Sequence, residues 1–255
     1  MTALLRRENL VGILPILALL LLWQAVVAAR LAPPALLPPP VAVFERLLQN
    51  LLDPTFLGHL WVTLRRLSVG FLIALAIGVP VGLAAATNRL VGAAVKPLVR
   101  VLAPVPKIAL YPALILSLGF DDASKIVLVA ADALFPILLA TYQGAAAVEP
   151  KLVWSARSAG TSTGATLWKI ILPATLPSVL TGSRIALVVS CIVVFLAEMI
   201  TSTDGLGYLL VRATRSFQVV DMFVPLLAIS GLGLLLNAAL AVARRRLLAG
   251  YPEEE

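Results

Sequence analysis

The sequence predicts an all-α integral membrane protein with six transmembrane helices. Three observations carry that expectation. Of the 255 residues, 60% are hydrophobic and only 13% are charged, about half the charge fraction of a soluble domain. Several apolar runs approach the roughly 20 residues that a helix needs to cross a bilayer, and only a helix satisfies its own backbone in hydrocarbon. The basic residues behind the net charge of +7 sit between these runs, which is a pattern of membrane topology rather than of nucleic-acid binding.

The first span is read from about Leu10 to Ala29, after Arg6 and Arg7. It lacks a small-residue cleavage site and is long for a signal sequence, so it is expected to be retained. "LAPPALLPPP" follows and is too proline-dense for a helix. "VAVFERLLQNLL" then spaces apolar residues for a helix, with Glu45, Arg46 and Gln49 on the opposite face. This predicts a short amphipathic helix on the membrane surface. The second span runs from about Val69 to Ala86, with "WVTLRRLS" leading into it. The third, about Leu98 to Leu118, is broken by Pro104, Pro106 and Pro112; such prolines kink a membrane helix and shape a pathway, or make a static bend. The fourth, fifth and sixth cover about Ile126–Thr141, Val179–Ile200 and Met222–Val242. The chain thus divides into a first span with an external amphipathic segment (1–57), a five-span core (58–248) with one long loop over 144–178, and a tail (249–255).

An even number of spans puts both termini on one side. Eleven basic residues fall on that side and seven on the other, and "RRR" at 244–246 closes the last span. This bias predicts cytoplasmic termini. On the outer face Arg65, Arg66, Lys125, Arg212 and Arg215 would suit a small anion, or anchor headgroups, or meet a partner protein. One Cys and one His exclude a disulfide framework and a Cys/His metal site. No metal or catalytic residue is assigned. Cys191 reads as a packing residue and His59 as interfacial. Asp132, inside the fourth span, is a pathway candidate or a paired acid, because intramembrane charge is costly. Glu198, near the outer end of the fifth span, is placed where it can reach water; it reads first as a structural residue and is the other acidic pathway candidate. Arg184 reads as an interfacial anchor. "TDGLGYLL" with Gly205 and Gly207 reads as a tight outer turn.

The loop between spans four and five holds "SARSAGTSTGATLWKIILPATLP". Ala156, Gly160 and Gly164 are four apart. A continuous helix would put all three on one close-packing face. Alternatively, Gly160 ends one short helix, and Thr161 or Ser162 caps a second that runs to Pro173.

"WSARSAGTSTGATLWKIILPATLP" resembles the coupling loop of ABC-importer permeases, the EAA motif. That motif has Glu-Ala-Ala, three residues, Gly, nine residues, then Ile-x-Leu-Pro. Here Trp154 stands for the Glu and Ser155 for the first Ala, while Ala156, Gly160, Ile170, Leu172 and Pro173 match. "GHLWVTLRRLSVGFLIALAIGVPVGLAAATNR", "PLVRVLAPVPKIALYPALILSLGF" and "FLAEMITSTDGLGYLL" are similar to the nitrate, taurine, aliphatic sulfonate and thiamine-precursor branch, over roughly 58–248.

The resemblance implies the type I ABC-importer permease fold. It implies a homodimer in the bacterial inner membrane, a separate ABC ATPase seated on Trp154, Ser155, Ala156, Gly160, Gly164, Ile170, Leu172 and Pro173, and an extracytoplasmic substrate-binding protein. Pro104, Pro106, Asp132 and Glu198 are the pathway candidates. No GxxxxGK[ST] phosphate loop occurs in the sequence. ATP would therefore be bound by the partner subunit, with no cofactor in this chain and no enzymatic activity of its own. The implied solute is a small anion such as a sulfonate or nitrate, the alternative a thiamine precursor. A secondary transporter is a further reading, but six spans without an internal repeat fit it poorly. A channel lacks its filter or charged rings.

Overall fold

The computed structural model describes residues 7–33 and 36–249, with side chains from Leu14 onward. Arg6, the Arg7 side chain and the tail from 250 on lie outside the described residues. All regular structure among those residues is helical.

Helix α1 covers Arg7–Ala28. Helix α2, Pro40–Asn50, starts with proline at its first position, where no N–H is missed. It buries Val43 while Val41, Phe44 and Leu48 stay exposed. Trp23 of α1 donates to the Pro38 carbonyl at 3.0 Å. Its ring lies 5.5 Å from Phe223 in α11 (Val219–Leu247). Arg46 of α2 pairs with Asp221 of α11 at 2.6 Å. These contacts gather the end of α1, helix α2 and the start of α11 at one end of the molecule.

Helix α3, Pro54–Thr87, is 34 residues long. Asp53 caps it by accepting from the Thr55 N–H at 2.9 Å. "WVTLRRLS" and the second span are therefore one helix, and the division expected after residue 57 falls inside it. Asn88 caps α4, Arg89–Leu102, by accepting from Leu90 and Val91.

The third span is broken outright rather than kinked. A 3₁₀ turn, Lys107–Leu110, leads into α5, Tyr111–Leu118, and this arm lies at 86° to α4. Pro104 and Pro106 occupy the four-residue break 103–106. Neither can donate a backbone bond, so although Ala103 still has helical angles (φ −60°, ψ −42°) the helical ladder stops at Leu102.

Helix α6 covers Asp122–Ala146, and α7 covers Pro150–Ser158. Helix α8, Thr163–Thr166, passes through a π-helical turn, Leu167–Ile171, into α9, Leu172–Thr201. Together they make one 39-residue helix, Thr163–Thr201. The loop between α6 and α8 is thus residues 147–162, shorter at both ends than the expected 144–178. "GLGYLLVRATR" is a turn only at Gly205, with φ of 94°; from Leu206 to Arg215 it forms a further helix, α10. Among the described residues four helices are long and apolar enough to span, and α4 with its bent arm makes a fifth. Helix α1 adds 22 helical residues at the first expected span.

The core is the row α3–α6–α9, with α6 in the middle. Lipid gives no hydrophobic drive between helices, so close approach through small residues supplies the packing. A Cβ on Gly82 of α3 would lie 2.8 Å from the Leu138 carbonyl of α6. One on Gly182 of α9 would lie 2.8 Å from the Pro136 carbonyl. Leu67, Leu128, Val129, Leu187 and Val194 fill the half of the row toward the start of α3. Leu83, Ala145 and Ile171 close the opposite end.

Candidate functional site

At the end of the row closed by Leu83, Ala145 and Ile171, α7 finishes in a glycine cap. Thr161 N–H bonds the Ala156 carbonyl and Gly160 N–H bonds the Arg157 carbonyl, both at 3.0 Å. Gly160 has φ of 82°, a left-handed conformation that glycine adopts without steric cost. The Ser162 hydroxyl accepts from the Ala165 N–H at 3.3 Å and starts the next helix. Two helices meet at a turn, so Ala156, Gly160 and Gly164 share no single helical face. The second helix also does not stop at Pro173. Proline has no N–H for the carbonyl four residues back and its ring crowds that carbonyl. Just before it the helix widens, and the Leu172 N–H reaches Leu167, five residues back.

The loop has an anchored side and an open side. Val153, Leu167 and Leu172 pack around Leu83, Ala145 and Ile171. Ile170 and Pro173 are half-buried. On the open side Trp154 is 63% and Trp168 66% exposed, an unusual amount for tryptophan. Ser155 is exposed and Ala156 half-buried. A Cβ on Gly160 or Gly164 would meet nothing within 4 Å. Arg157 and Lys169 give this surface a basic rim.

The opposite end of the row carries a charge cluster that sequence reasoning did not assemble. Arg66 of α3 is 2% exposed. Its guanidinium donates to Asp122 of α6 at 2.7 Å, to Glu198 of α9 at 2.9 Å and to Asp204 after α9 at 2.5 Å. Arg65 also pairs with Asp122. Thr63 Oγ1 lies 2.9 Å from Glu198 Oε2 and accepts from the Leu206 N–H at 2.9 Å. Gly207 N–H donates to Glu198 at 3.0 Å, and Gly205 N–H donates to His59 Nδ1 at 3.0 Å. A Cβ on Gly205 would overlap the Glu198 carboxylate. Burial alone would raise the Asp204 carboxyl, but the hydrogen bonds and charge of Arg66 hold it below the usual carboxylate range. Among the described residues no buried side-chain nitrogen or oxygen is left without a partner.

This cluster corrects two expectations. Glu198 does not reach toward water; its side chain is fully buried and paired with Arg66, which fits the structural reading and not the solvent-reaching one. Arg66 and Lys125 are not free for a passing anion, whereas Arg65 pairs with Asp122 and keeps about half of its side chain exposed. Lys125 is 1% exposed and donates to the Phe120 and Asp121 carbonyls at 2.6 and 3.3 Å. Arg212 and Arg215 of α10 do stay exposed. The structure brings Pro104, Pro106 and Asp132 into one neighbourhood but leaves Glu198 out of it. Lys107, one residue past Pro106, lies 3.8 Å from Asp132 Oδ1 and 4.4 Å above the Phe135 ring. Asp132 is thus a paired acid. Arg184 is exposed at a groove between α9 and α11 that Cys191 and Asn237 also line.

A family model described as the binding-protein-dependent transport system inner membrane component matches residues 78–249. The chain is 32% identical to the taurine transport system permease protein TauC of Escherichia coli (strain K12), over 98% of this chain and 92% of that one. It is 30% identical to the putative aliphatic sulfonates transport permease protein SsuC of Bacillus subtilis (strain 168), over 93% and 86%. It is 31% identical to the formylaminopyrimidine transport permease protein ThiX of Halalkalibacterium halodurans, over 88% and 89%. Among solved structures, an inward-facing MetNI methionine ABC transporter chain superposes with a TM-score of 0.68 at 19% identity, over 76% of this chain and 96% of that one. That likeness gives the type I ABC-importer permease fold.

Proposed function

The chain belongs to the family of binding-protein-dependent transport system inner membrane components, and from this premise we propose that it carries a small sulfonate-type anion inward, driven by a separate ATPase. It is a multi-pass membrane permease of the ABC-importer class. The observation that carries the solute assignment is the end-to-end similarity to taurine and aliphatic sulfonate permeases. A binding protein on the outer face delivers the solute. Two copies of this chain form the path, because a two-fold pair presents two equivalent loops to a two-fold pair of ATPases.

The inner loop is the ATPase contact in this reading. Trp154, Ser155, Ala156 and Gly164 meet the partner, Gly160 gives the turn its shape, and Ile170, Leu172 and Pro173 fix the loop to the spans. The exposure of Trp154 and of Trp168 supports this, since large exposed aromatics mark interaction sites. ATP binds to the partner, and its closing motion biases the permease between outward-open and inward-open states. The inner end is cytoplasmic, in line with Arg89, Lys96, Arg100, Arg157 and Lys169 around it. The break at Pro104 and Pro106 and the Lys107–Asp132 pair border the path; Glu198 is not assigned to it.

Proteoliposomes holding the permease, its ATPase and its binding protein test the proposal. ATP-dependent accumulation of labelled taurine, without accumulation of labelled formylaminopyrimidine, is the expected result. The opposite preference would select the thiamine-precursor reading, which the ThiX similarity favours. Uptake without the ATPase would overturn the ABC reading.

A further inference from the structure

The outer charge cluster has no role in the reading above. It joins four elements at a single point: Arg66 from α3, Asp122 from α6, Glu198 from α9, and the 202–207 turn that starts α10. Three properties decide what it does. Its carboxylates are paired within the cluster, with Arg65 and Arg66 on Asp122 and Arg66 on Glu198 and Asp204, while Lys125 is held by the Phe120 and Asp121 carbonyls. Its most central members are dry, since the side chains of Arg66 and Glu198 are 3% and 0% exposed. Its backbone contacts are as close as atoms allow, because Gly205 and Gly207 leave no space for a Cβ against Glu198 and Phe195. Separating these elements would strand buried charges, and sliding them would drive backbone into side chain. Such a cluster resists being a gate.

We propose that the cluster is a permanent outer rivet. It keeps α3, α6, α9 and α10 as one rigid body in both access states, so that motion imposed on the inner loop is delivered whole to the outer mouth. The remaining parts of that body fit. The helix from Thr163 to Thr201 runs unbroken from the inner loop to the cluster. Glycine contacts at Gly82, Gly144 and Gly182 close the α3–α6–α9 row between the two ends. Alternating access then occurs between bodies, not within this one. The inference rests on the ATPase-docking reading of the inner loop.

Hydrogen–deuterium exchange on the unmodified full complex in nanodiscs tests both parts separately. The two states are nucleotide-free and ATP–vanadate-trapped. The amides of Gly205, Leu206 and Gly207 donate to His59, Thr63 and Glu198, so they report directly on the rivet. Their exchange should stay equal within about twofold between the states, while amides of residues 150–162 slow at least tenfold on trapping. Exchange at 205–207 rising tenfold or more in either state overturns the rivet. An unchanged loop at 150–162 overturns the docking reading instead, and the lever with it. A complex carrying Glu198→Ala gives a second measurement: its 205–207 amides should exchange at least tenfold faster than the parent's, and parental rates there would equally overturn the rivet.

Discussion

Removing the Glu198 carboxylate leaves Arg66 buried with part of its counter-charge gone and takes away the acceptor for Gly207. Breaking a buried pair from one side costs about 3–5 kcal/mol. Glu198→Ala should therefore lower the melting temperature of the purified permease by many degrees, and Glu198→Gln, which keeps the shape and one acceptor, by less. Equal stability of parent and alanine variant would show that the cluster holds nothing together. A structural role could be read from the sequence but its partners could not, because Thr63 and Arg66 lie 135 and 132 residues away. A lone acid near a span end looks like a group reaching for water. The glycines of the loop were better marked, since the spacing raised both a shared face and a cap at Gly160. Only the backbone separates those, and its left-handed value at Gly160 affects how the contact should be probed. Leucine at 160 would strain the turn by about 1–2 kcal/mol whatever it touches. Gly164 lies in ordinary helix with open space around it. Gly164→Leu should insert and fold as the parent does yet fail to co-purify with the ATPase. Retained co-purification would place the contact elsewhere.

At the scale of elements, the break between α4 and α5 is the most consequential. Three prolines within nine positions announced an interruption, but their number could not distinguish a kink from an 86° turn, because that depends on where the next segment packs. Tyr111 settles the packing: it is fully buried and its hydroxyl reaches Thr201 at 3.0 Å. With α5 fixed in that way, Pro104 and Pro106 are exposed at the bend itself. Replacing both by Ala should leave expression and melting close to parental while reducing ATP-driven uptake severalfold. Normal uptake would make the bend a packing detail. Helix α10 escaped notice because Gly205 and Gly207 flank its first residue, and glycine in so short a segment signals a turn. Gly207 is there for proximity to Phe195 and Glu198, not for flexibility.

For the whole molecule, composition and apolar run length made the membrane class and the span order readable, because the bilayer imposes one length on every crossing. The contacts agree with that order. The starts of α3 and α6 meet the end of α9 through Arg66, Asp122 and Asp204, while Leu83, Ala145 and Ile171 meet at the far end. Reporter fusions after Gly58, Asp122 and Asp204 should read as external, and after Gly92 and Ser162 as internal. An internal signal at Asp122 or an external one at Ser162 would invert or break this arrangement. What sequence could not supply is the joining of distant charges, since pairing across helices leaves no periodic trace.

The π-helical turn at 167–171 has a consequence for how such a subunit diverges. Every residue added to a helix rotates all that follows by about 100°. A π turn is one residue of surplus absorbed without a break. It acts as a phase shifter between the azimuth of α9, fixed by its packing on α6, and that of the short helices carrying Trp154. Losing or gaining a single residue in this stretch would re-aim that surface around the helix axis and replace the Val153 and Leu167 contacts that anchor it, while the packing of α9 on α6 beyond Pro173 stays in place. Partner choice at the inner face is thus open to change through insertions and deletions, a route along which an alignment of substitutions alone would register almost nothing.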